Sequence, residues 1–391
     1  MTNPHVCPRL RIGAIISFLL CVASALAAAQ SSSPTRGSVP NTWARYAFDN
    51  SNSGFNVFET QLSAATVAGL RPAWTFQTGD RVRSSPMVYN GRVFISSNNG
   101  LLYSLDELTG TLIWSAPLGV GDDFEFTPCI ADGILFTATE TRMVYALDPA
   151  TGTVIWSTAP GGEFHVGSPV VANGMVYVAS LDGNLYALNE STGSTVWTAS
   201  TNNEINHSPA LSGKVLYLGS FDHNLHAFDA LTGRELWKSS TPSLIHDSPS
   251  VMNGRVFVGG FDKYIHAWDA VTGRELWKTP TRGKIHSTPT GQNGMLYVGS
   301  EDGNLYALDQ TTGAVRWTFR TGGFVHDTPA VANGVVYFGS WDNQIRAVDA
   351  KSERLVWSFQ TGGDVESSPA VVNGQLVVGS DDGKVYAFRL R

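Results

Sequence analysis

Tryptophan recurs at a nearly constant interval along most of this chain. Eight tryptophans stand 40, 42, 41, 40, 40, 40 and 40 residues apart, and most of them end the pattern Ala-x-Asp-x-x-Thr-Gly-x-x-x-Trp. They are Trp74, Trp114, Trp156, Trp197, Trp237, Trp277, Trp317 and Trp357. A repeat of about 40 residues built from short strands is typical of the blades of a β-propeller. The sequence therefore predicts an all-β fold with one blade for each repeat.

Each repeat contains signals for four strands. A Ser-Pro or Thr-Pro pair opens the first strand, where proline is tolerated because no ladder N–H is needed. A pair such as Asn173-Gly174 follows in every repeat, and such pairs form tight type I′ hairpins. The second strand is nearly continuous in apolar residues, which is typical of a strand covered on both faces. We expect the tryptophans to be structural, each indole packed on small residues of the neighbouring blade.

The two ends of the repeat array are complementary. The last repeat stops at Arg391 after its third strand, whereas the first tryptophan strand, Leu70 to Phe76, has no blade of its own. If this segment serves as the fourth strand of the last blade, the ring closes without an exposed sheet edge. The sequence thus predicts an eight-bladed propeller in which the closing blade is shared between the two termini.

The first 29 residues are typical of a secretory signal peptide. Arg9 and Arg11 precede an apolar stretch that ends in small residues, with cleavage expected after Ala29. Residues 30–42 are predicted to be a flexible leader, and residues 43–391 a single propeller domain. We therefore expect an exported protein that is soluble in the periplasm or the medium. No segment reaches the length of a membrane span.

Charge and cysteine content exclude several classes of function. The mature chain carries 24 basic and 33 acidic residues, a net charge of −9. An acidic protein is a poor match for nucleic acid or an anionic membrane, which attract basic patches. Cys129 is the single cysteine outside the predicted signal peptide, so an internal disulfide is excluded. We expect a monomer with a protein partner in the bacterial envelope.

Polar residues recur before the first strand of each repeat, and this position faces the propeller axis. Together with the residue that follows it and one aromatic residue of a neighbouring loop, this position provides a candidate ligand site in an axial funnel. Its members are Arg83, Glu125, Asn206, His246, Asp247, His286, His326, Asp327, Glu366 and Trp341. The histidines could equally be copied structural residues that hydrogen-bond to the next blade. No metal ligands and no catalytic residues are assigned.

The repeat resembles a known family. Its tryptophan motif, and the segment Ala65–Asp80 (ATVAGLRPAWTFQTGD), resemble the eight-bladed propeller of the pyrroloquinoline quinone (PQQ)-dependent alcohol dehydrogenases. The propeller of the outer-membrane β-barrel assembly machine, which has no enzymatic activity, has a similar repeat. The resemblance implies the fold strongly and the chemistry weakly, because one fold hosts many functions.

Two kinds of function follow from this resemblance. Uniform repeats with short loops favour a non-catalytic binding or scaffold module of the cell envelope, without a cofactor. The alternative is a dehydrogenase that oxidises alcohols or sugars with PQQ and Ca²⁺, or a protein that binds PQQ without turnover and stacks it on Trp341. Those enzymes clamp the quinone beneath two adjacent cysteines, and this chain has no such pair. Glu125, Asn206, Asp247 and Asp327 offer the oxygen ligands that Ca²⁺ prefers.

Overall fold

Eight four-stranded antiparallel sheets form a ring of blades in the computed structural model of the chain. The structure describes residues 42–119, 125–165 and 167–390, all within one unit, Arg36–Arg391. The predicted signal peptide and the predicted leader, except for Thr42, lie outside the described residues. No helix in the described ranges is long and apolar enough to cross a bilayer. The prediction of an all-β, eight-bladed propeller is confirmed.

Each blade is a meander in which consecutive strands pair. Blade 1 contains Met87–Tyr89, Arg92–Ser97, Leu101–Asp106 and Leu112–Pro117; blade 2 contains Cys129–Ala131, Ile134–Ala138, Val144–Leu147 and Val154–Thr158. Blade 3 contains Val170–Ala172, Met175–Ala179, Asn184–Asn189 and Thr195–Ser200; blade 4 contains Ala210–Ser212, Val215–Gly219, Asn224–Asp229 and Glu235–Ser240.

The second half of the ring repeats this arrangement. Blade 5 contains Ser250–Met252, Arg255–Gly259, Tyr264–Asp269 and Glu275–Pro280; blade 6 contains Thr290–Gln292, Met295–Gly299, Asn304–Asp309 and Val315–Arg320. Blade 7 contains Ala330–Ala332, Val335–Ser340, Gln344–Asp349 and Arg354–Gln360; blade 8 contains Ala370–Val372, Gln375–Ser380 and Lys384–Leu390, and is completed by Leu70–Gln77. A 3₁₀ turn, Val67–Gly69, precedes the completing strand.

The closing strand pairs as predicted. Leu70–Gln77 lies antiparallel to Lys384–Leu390, with Thr75 opposite Tyr386. The hairpins also have the backbone geometry predicted from the sequence. Asn173 and Gly174, for example, have φ values of 57° and 73°, as a type I′ turn requires.

The tryptophans join neighbouring blades. The indole N–H of Trp237 donates to the carbonyl of Ala270 in the next blade at 3.2 Å, and its ring lies against Gly273. The same donation to the next blade is made by Trp74, Trp114, Trp156, Trp277 and Trp357. In the blade that follows Trp317, Ser352-Glu353 replaces the Thr-Gly pair of the turn. Glu353 stands at the glycine position and adopts the same positive φ, 63°.

One segment outside the repeat lines the channel of the ring. Residues 43–59, which we call the strap, run from blade to blade along the innermost strands and contact all eight blades. Strap carbonyls accept backbone N–H groups of Val88, Ile130, Leu211, Val251, Gly291 and Val331, and strap asparagine side chains donate to the carbonyls of Val171 and Val371. Phe55–Asn56 also forms a short parallel strand beside Ala330–Ala332. This segment precedes the first repeat and carries no repeat motif in its sequence.

Candidate functional site

The axial funnel is a real cavity at one end of the channel. Its volume is about 170 Å³, and its floor includes Tyr46 of the strap, whose hydroxyl shares hydrogen bonds with Thr288 and Thr328. The loops that enter the first strands supply the walls, because all eight loops lie at the same end of the ring. Eight of the predicted residues line the cavity: Arg83, Glu125, His246, Asp247, His286, His326, Asp327 and Glu366.

The other two predicted residues contact this group from outside the cavity wall. The amide nitrogen of Asn206 lies 2.7 Å from Nε2 of His246. Trp341 packs on His326, with 4.4 Å between ring centroids, and on Phe324. Trp341 therefore contacts a residue of the cavity wall without lining the cavity itself.

Four imidazoles from successive blades form a continuous array. The ring centroids of His207 and His246 are 4.9 Å apart, those of His246 and His286 4.7 Å, and those of His286 and His326 4.5 Å. The equivalent loops of blades 4 to 7 place these rings side by side around the axis. We call this group the imidazole array.

The imidazole array and two carboxylates form two clusters, each with two imidazoles and one acid. In the first, Oδ1 of Asp247 lies 3.6 Å from Nε2 of His207 and 3.7 Å from Nδ1 of His246. In the second, Oε1 of Glu301 lies 3.2 Å from Nε2 of His286 and 3.6 Å from Nε2 of His326.

These separations suit a shared metal ion. Two ligand atoms bound to one tetrahedral Zn²⁺ at about 2.0–2.1 Å lie about 3.3 Å apart. Several polar atoms of the site are buried without a hydrogen-bond partner among the described residues, which is costly unless a ligand satisfies them. They include Nδ1 of His246, Nε2 of His326 and Oδ2 of Asp247.

Burial keeps the rings of His207, His286 and His326 neutral. It lowers the pKa of His207 to about 3, against the opposing charge of Asp247, and it also lowers the pKa of His326 to about 3. The pKa of His286 falls for the same reason. A neutral imidazole is the form that binds metal, because a proton and a metal ion compete for the same lone pair.

Blades 8, 1 and 2 supply an acidic half of the funnel with Arg83 at its centre. The guanidinium contacts Asp381 at 2.8 Å, Glu125 at 3.3 Å and Glu366 at 3.4 Å. Burial raises the pKa of Glu366 to about 7, aided by Asp381 and Glu125 and opposed by Arg83. Burial also raises the pKa of Asp327, whose carboxylate accepts one backbone N–H, from Gly339.

Among the residues of the site that the predicted list omitted are Tyr46, His165, His207, Glu301 and Asp381. Glu301 and Asp381 stand 40 residues before and 40 residues after Trp341, in the equivalent loops between the second and third strands. These loops therefore contained an acidic signal, whereas the prediction used only their aromatic residue. His165 lies one position before the predicted column, so the alignment of repeats hid it.

The residues present do not fit PQQ in this cavity. Small-molecule pockets usually measure about 300–1,000 Å³ and are mostly apolar, whereas this one measures about 170 Å³ and is walled by imidazoles and carboxylates. Of the residues predicted to offer oxygen ligands to Ca²⁺, Glu125 is engaged by Arg83 at 3.3 Å.

Solved structures with the same fold include quinone enzymes and an assembly factor. A europium-containing methanol dehydrogenase has a TM-score of 0.77 and 14% identity, covering 91% of this chain and 99% of its own. The quinohemoprotein alcohol dehydrogenase of Comamonas testosteroni has 0.76 and 14%, covering 90% and 81%. BamB of Moraxella catarrhalis has 0.69 and 19%, covering 82% and 98%. At these identities the likeness shows the fold alone.

The sequence matches at the level of a family. No curated protein sequence matches significantly. The family model described as "Outer membrane protein assembly factor BamB" matches residues 57–125, 98–244, 222–323 and 292–391, which together span most of the chain. The chain therefore belongs to this family of PQQ-like repeat propellers.

Proposed function

We propose that the protein is an exported, non-catalytic binding propeller of the bacterial envelope that holds divalent transition-metal ions in its axial funnel. One observation carries the proposal: in each cluster a carboxylate oxygen lies 3.2–3.7 Å from two imidazole nitrogens, and the three atoms all lie within 4.8 Å of one another. Three protein ligands leave at least one coordination position open to the funnel, where water or a ligand group of a partner can bind.

The donor set favours particular metals. Imidazole nitrogen suits Zn²⁺, Cu²⁺, Ni²⁺ and Co²⁺, whereas Ca²⁺ and Mg²⁺ prefer sites built from oxygen alone. Asn206 contacts the first cluster, because its amide N–H donates to Nε2 of His246 at 2.7 Å and so fixes the orientation of the imidazole ring. Asn206 is thus a positioning residue for His246.

Calorimetric titration with Zn²⁺, and Co²⁺ absorption spectra, test the proposal. We expect two ions per chain, micromolar or tighter affinity, and the intense visible bands of four-coordinate Co²⁺. Because the rings are held neutral, we expect binding to persist at pH 5.5, where an ordinary histidine of pKa about 6.5 is mostly protonated.

Matched variants locate the ions. His286→Gln with Glu301→Gln should abolish one ion and spare the other, and His207→Gln with Asp247→Asn should do the reverse. His223→Gln, at an exposed histidine outside the funnel, should leave both. If both funnel variants bind Zn²⁺ as the wild type does, the ions lie elsewhere and the proposal is wrong.

The envelope location is a further part of this proposal. It is supported by the basic and apolar N-terminus of residues 1–29 and by membership of a family described as an outer membrane assembly factor. Mass spectrometry of the protein from its own host should find a mature N-terminus at Gln30. Recovery of chains that retain residues 1–29 in the cytoplasm would contradict export. A partner captured by the wild type, but less by the funnel variants, would link metal and partner.

A further inference from the structure

A second cavity lies at the opposite end of the channel. The first strands run from the funnel to the Asn-Gly and Asp-Gly hairpins, and residues of these hairpins line a space of about 430 Å³ between the strap and blades 1 to 3. This volume falls within the usual range of small-ligand sites. None of the funnel residues lines it.

A turn in the strap creates the space. The strap follows blade 2 as far as Ala44 and rejoins the ring at Asn50. Between them, Ala47 and Phe48 adopt positive φ values of 50° and 74°, and the chain folds back on itself. The inner ends of blades 2 and 3 are therefore left uncovered by backbone, and apolar side chains such as Ile130 and Val171 form part of the wall.

Arg45 lines this cavity and is almost completely buried, with 3% of its surface exposed. Its Nη1 donates to the carbonyl of Asp49 at 2.7 Å and to Oδ1 of Asn50 at 3.4 Å, which anchors the guanidinium. Nε and Nη2 have no hydrogen-bond partner among the described residues. These two nitrogens form the edge of the guanidinium that binds a carboxylate with two parallel hydrogen bonds.

No carboxylate of the described chain hydrogen-bonds to this cation, although the charge of Asp49 acts on it from nearby. The carboxylate of Asp49 is engaged by Ser51 and Ser53 rather than by Arg45. Burial raises the pKa of Cys129, which also lines the cavity, to about 12, so its thiol is uncharged at neutral pH. An unpaired buried cation is costly, and a bound anion removes that cost.

We propose that this cavity binds an organic carboxylate, with the carboxylate on Nε and Nη2 of Arg45 and the apolar part of the ligand against Ile130 and Val171. The ligand is either a free small carboxylic acid or the C-terminal carboxylate of a peptide. The proposal is independent of the metal site, because the two cavities lie at opposite ends of the channel.

Saturation-transfer NMR and calorimetry on the full mature chain test it, with hexanoate as the probe. We expect hexanoate to bind, and hexan-1-ol and inorganic phosphate to bind at least 10-fold more weakly, since one lacks the charge and the other the apolar part. Equal binding of phosphate would show a simple anion site and overturn the carboxylate assignment.

Two variants separate binding from folding. Arg45→Gln removes the charge and should weaken hexanoate binding at least 10-fold. Ala131→Leu fills the cavity without changing Arg45 and should weaken it similarly. An unchanged far-UV circular dichroism spectrum and a cooperative thermal unfolding transition show that each variant is folded. If both fold and bind hexanoate like the wild type, the proposal is wrong.

Competition experiments with a peptide distinguish a free small carboxylic acid from the C-terminal carboxylate of a peptide as the natural ligand. Acetyl-Gly-Leu-Ala with a free C-terminus should compete with hexanoate if the cavity receives a chain end, whereas the same peptide with a C-terminal amide should not. Binding of hexanoate without competition by the free peptide assigns the cavity to small acids. Failure of hexanoate and the free peptide alike overturns the proposal.

Discussion

Burial near the axis favours the uncharged form of several titratable side chains in the funnel, among them His326 and Glu366. The pKa of His326 falls to about 3 and that of Glu366 rises to about 7, although one group is a base and the other an acid. Both shifts have the same main cause, which is desolvation of the charged form. The imidazole array is consequently ready for a metal ion over a wide range of pH.

Glu366 provides a test of this effect through stability. Its pKa is about 4.5 in the unfolded chain and about 7 in the folded chain, so the folded chain holds an extra proton between these values. Stability therefore decreases as the pH rises through this window. We expect Glu366→Gln to stabilise the protein more at pH 8 than at pH 5, by up to about 3 kcal/mol. Urea unfolding at the two pH values measures the difference.

Glu204→Gln is the control, because it makes the same replacement of a carboxyl group by an amide at an exposed residue. We expect the effect of this substitution to be nearly the same at both pH values. An equally pH-independent effect of Glu366→Gln would mean that burial does not raise the pKa of this carboxyl group.

At the scale of the element, each tryptophan strand is stabilised by packing of its indole on the glycine of the next blade. A Cβ on Gly273 would lie 2.6 Å from Cδ2 of Trp237, closer than any real contact. The Thr-Gly turn thus needs glycine for two reasons, the positive φ of 68° and the indole that covers it. Each repeat buries its tryptophan only when its neighbour is folded, which couples the blades.

The pair Gly273→Ala and Gly254→Ala separates these two reasons. Gly254 has a similar φ of 71°, but a Cβ there would meet nothing within 4 Å. We expect Gly254→Ala to cost about 1–2 kcal/mol from the left-handed backbone alone. Gly273→Ala should cost about 1–3 kcal/mol more, because the indole must move. Chemical denaturation of both variants gives the difference, and equal costs would contradict docking of the indole on the glycine.

The whole molecule is held closed in two ways. The strand Leu70–Gln77 completes the last blade and removes the free edge, as most closed propellers require. The strap adds a second closure from inside, because its polar groups satisfy backbone groups of every blade. Burial of these polar groups is tolerated because the strap supplies their hydrogen bonds.

Asn52 tests the strap. This residue is fully buried, with φ of 56°, and its side-chain amide donates to the carbonyls of Pro249 at 2.8 Å and Pro209 at 3.4 Å, in blades 5 and 4. We expect Asn52→Ala to leave two carbonyls without this donor and to cost about 1–3 kcal/mol beyond the cost of a similar backbone change.

Asn90→Ala is the matched control for that comparison. Asn90 is exposed in a hairpin and has a φ of 48°, so its substitution reports the backbone cost alone. Thermal unfolding of both variants should show a clearly lower midpoint for Asn52→Ala. If the two midpoints coincide, the strap does not stabilise the ring.

The sequence by itself determined the repeating part of the molecule. The interval of 40 residues, the Asn-Gly hairpins and the unmatched strand before Trp74 were enough to predict eight blades and the way in which they close. These signals are local, since each strand alternation and each tight turn depends on a few neighbouring residues. The same repeat placed eight of the ten candidate residues in one axial cavity.

Only the tertiary structure decided the contacts between repeats and the non-repeating segment. The strap binds mainly through backbone groups of eight blades, which leave no pattern in its own sequence. Glu301, the acid of the second cluster, comes from a loop between the second and third strands. His286 and His326 come from the loops that enter the first strands. Arg45 lines its cavity together with Ile130 and Val171, each of which is more than 80 residues away along the chain. Such distances depend on how the blades pack around the axis, and local sequence carries no information about them.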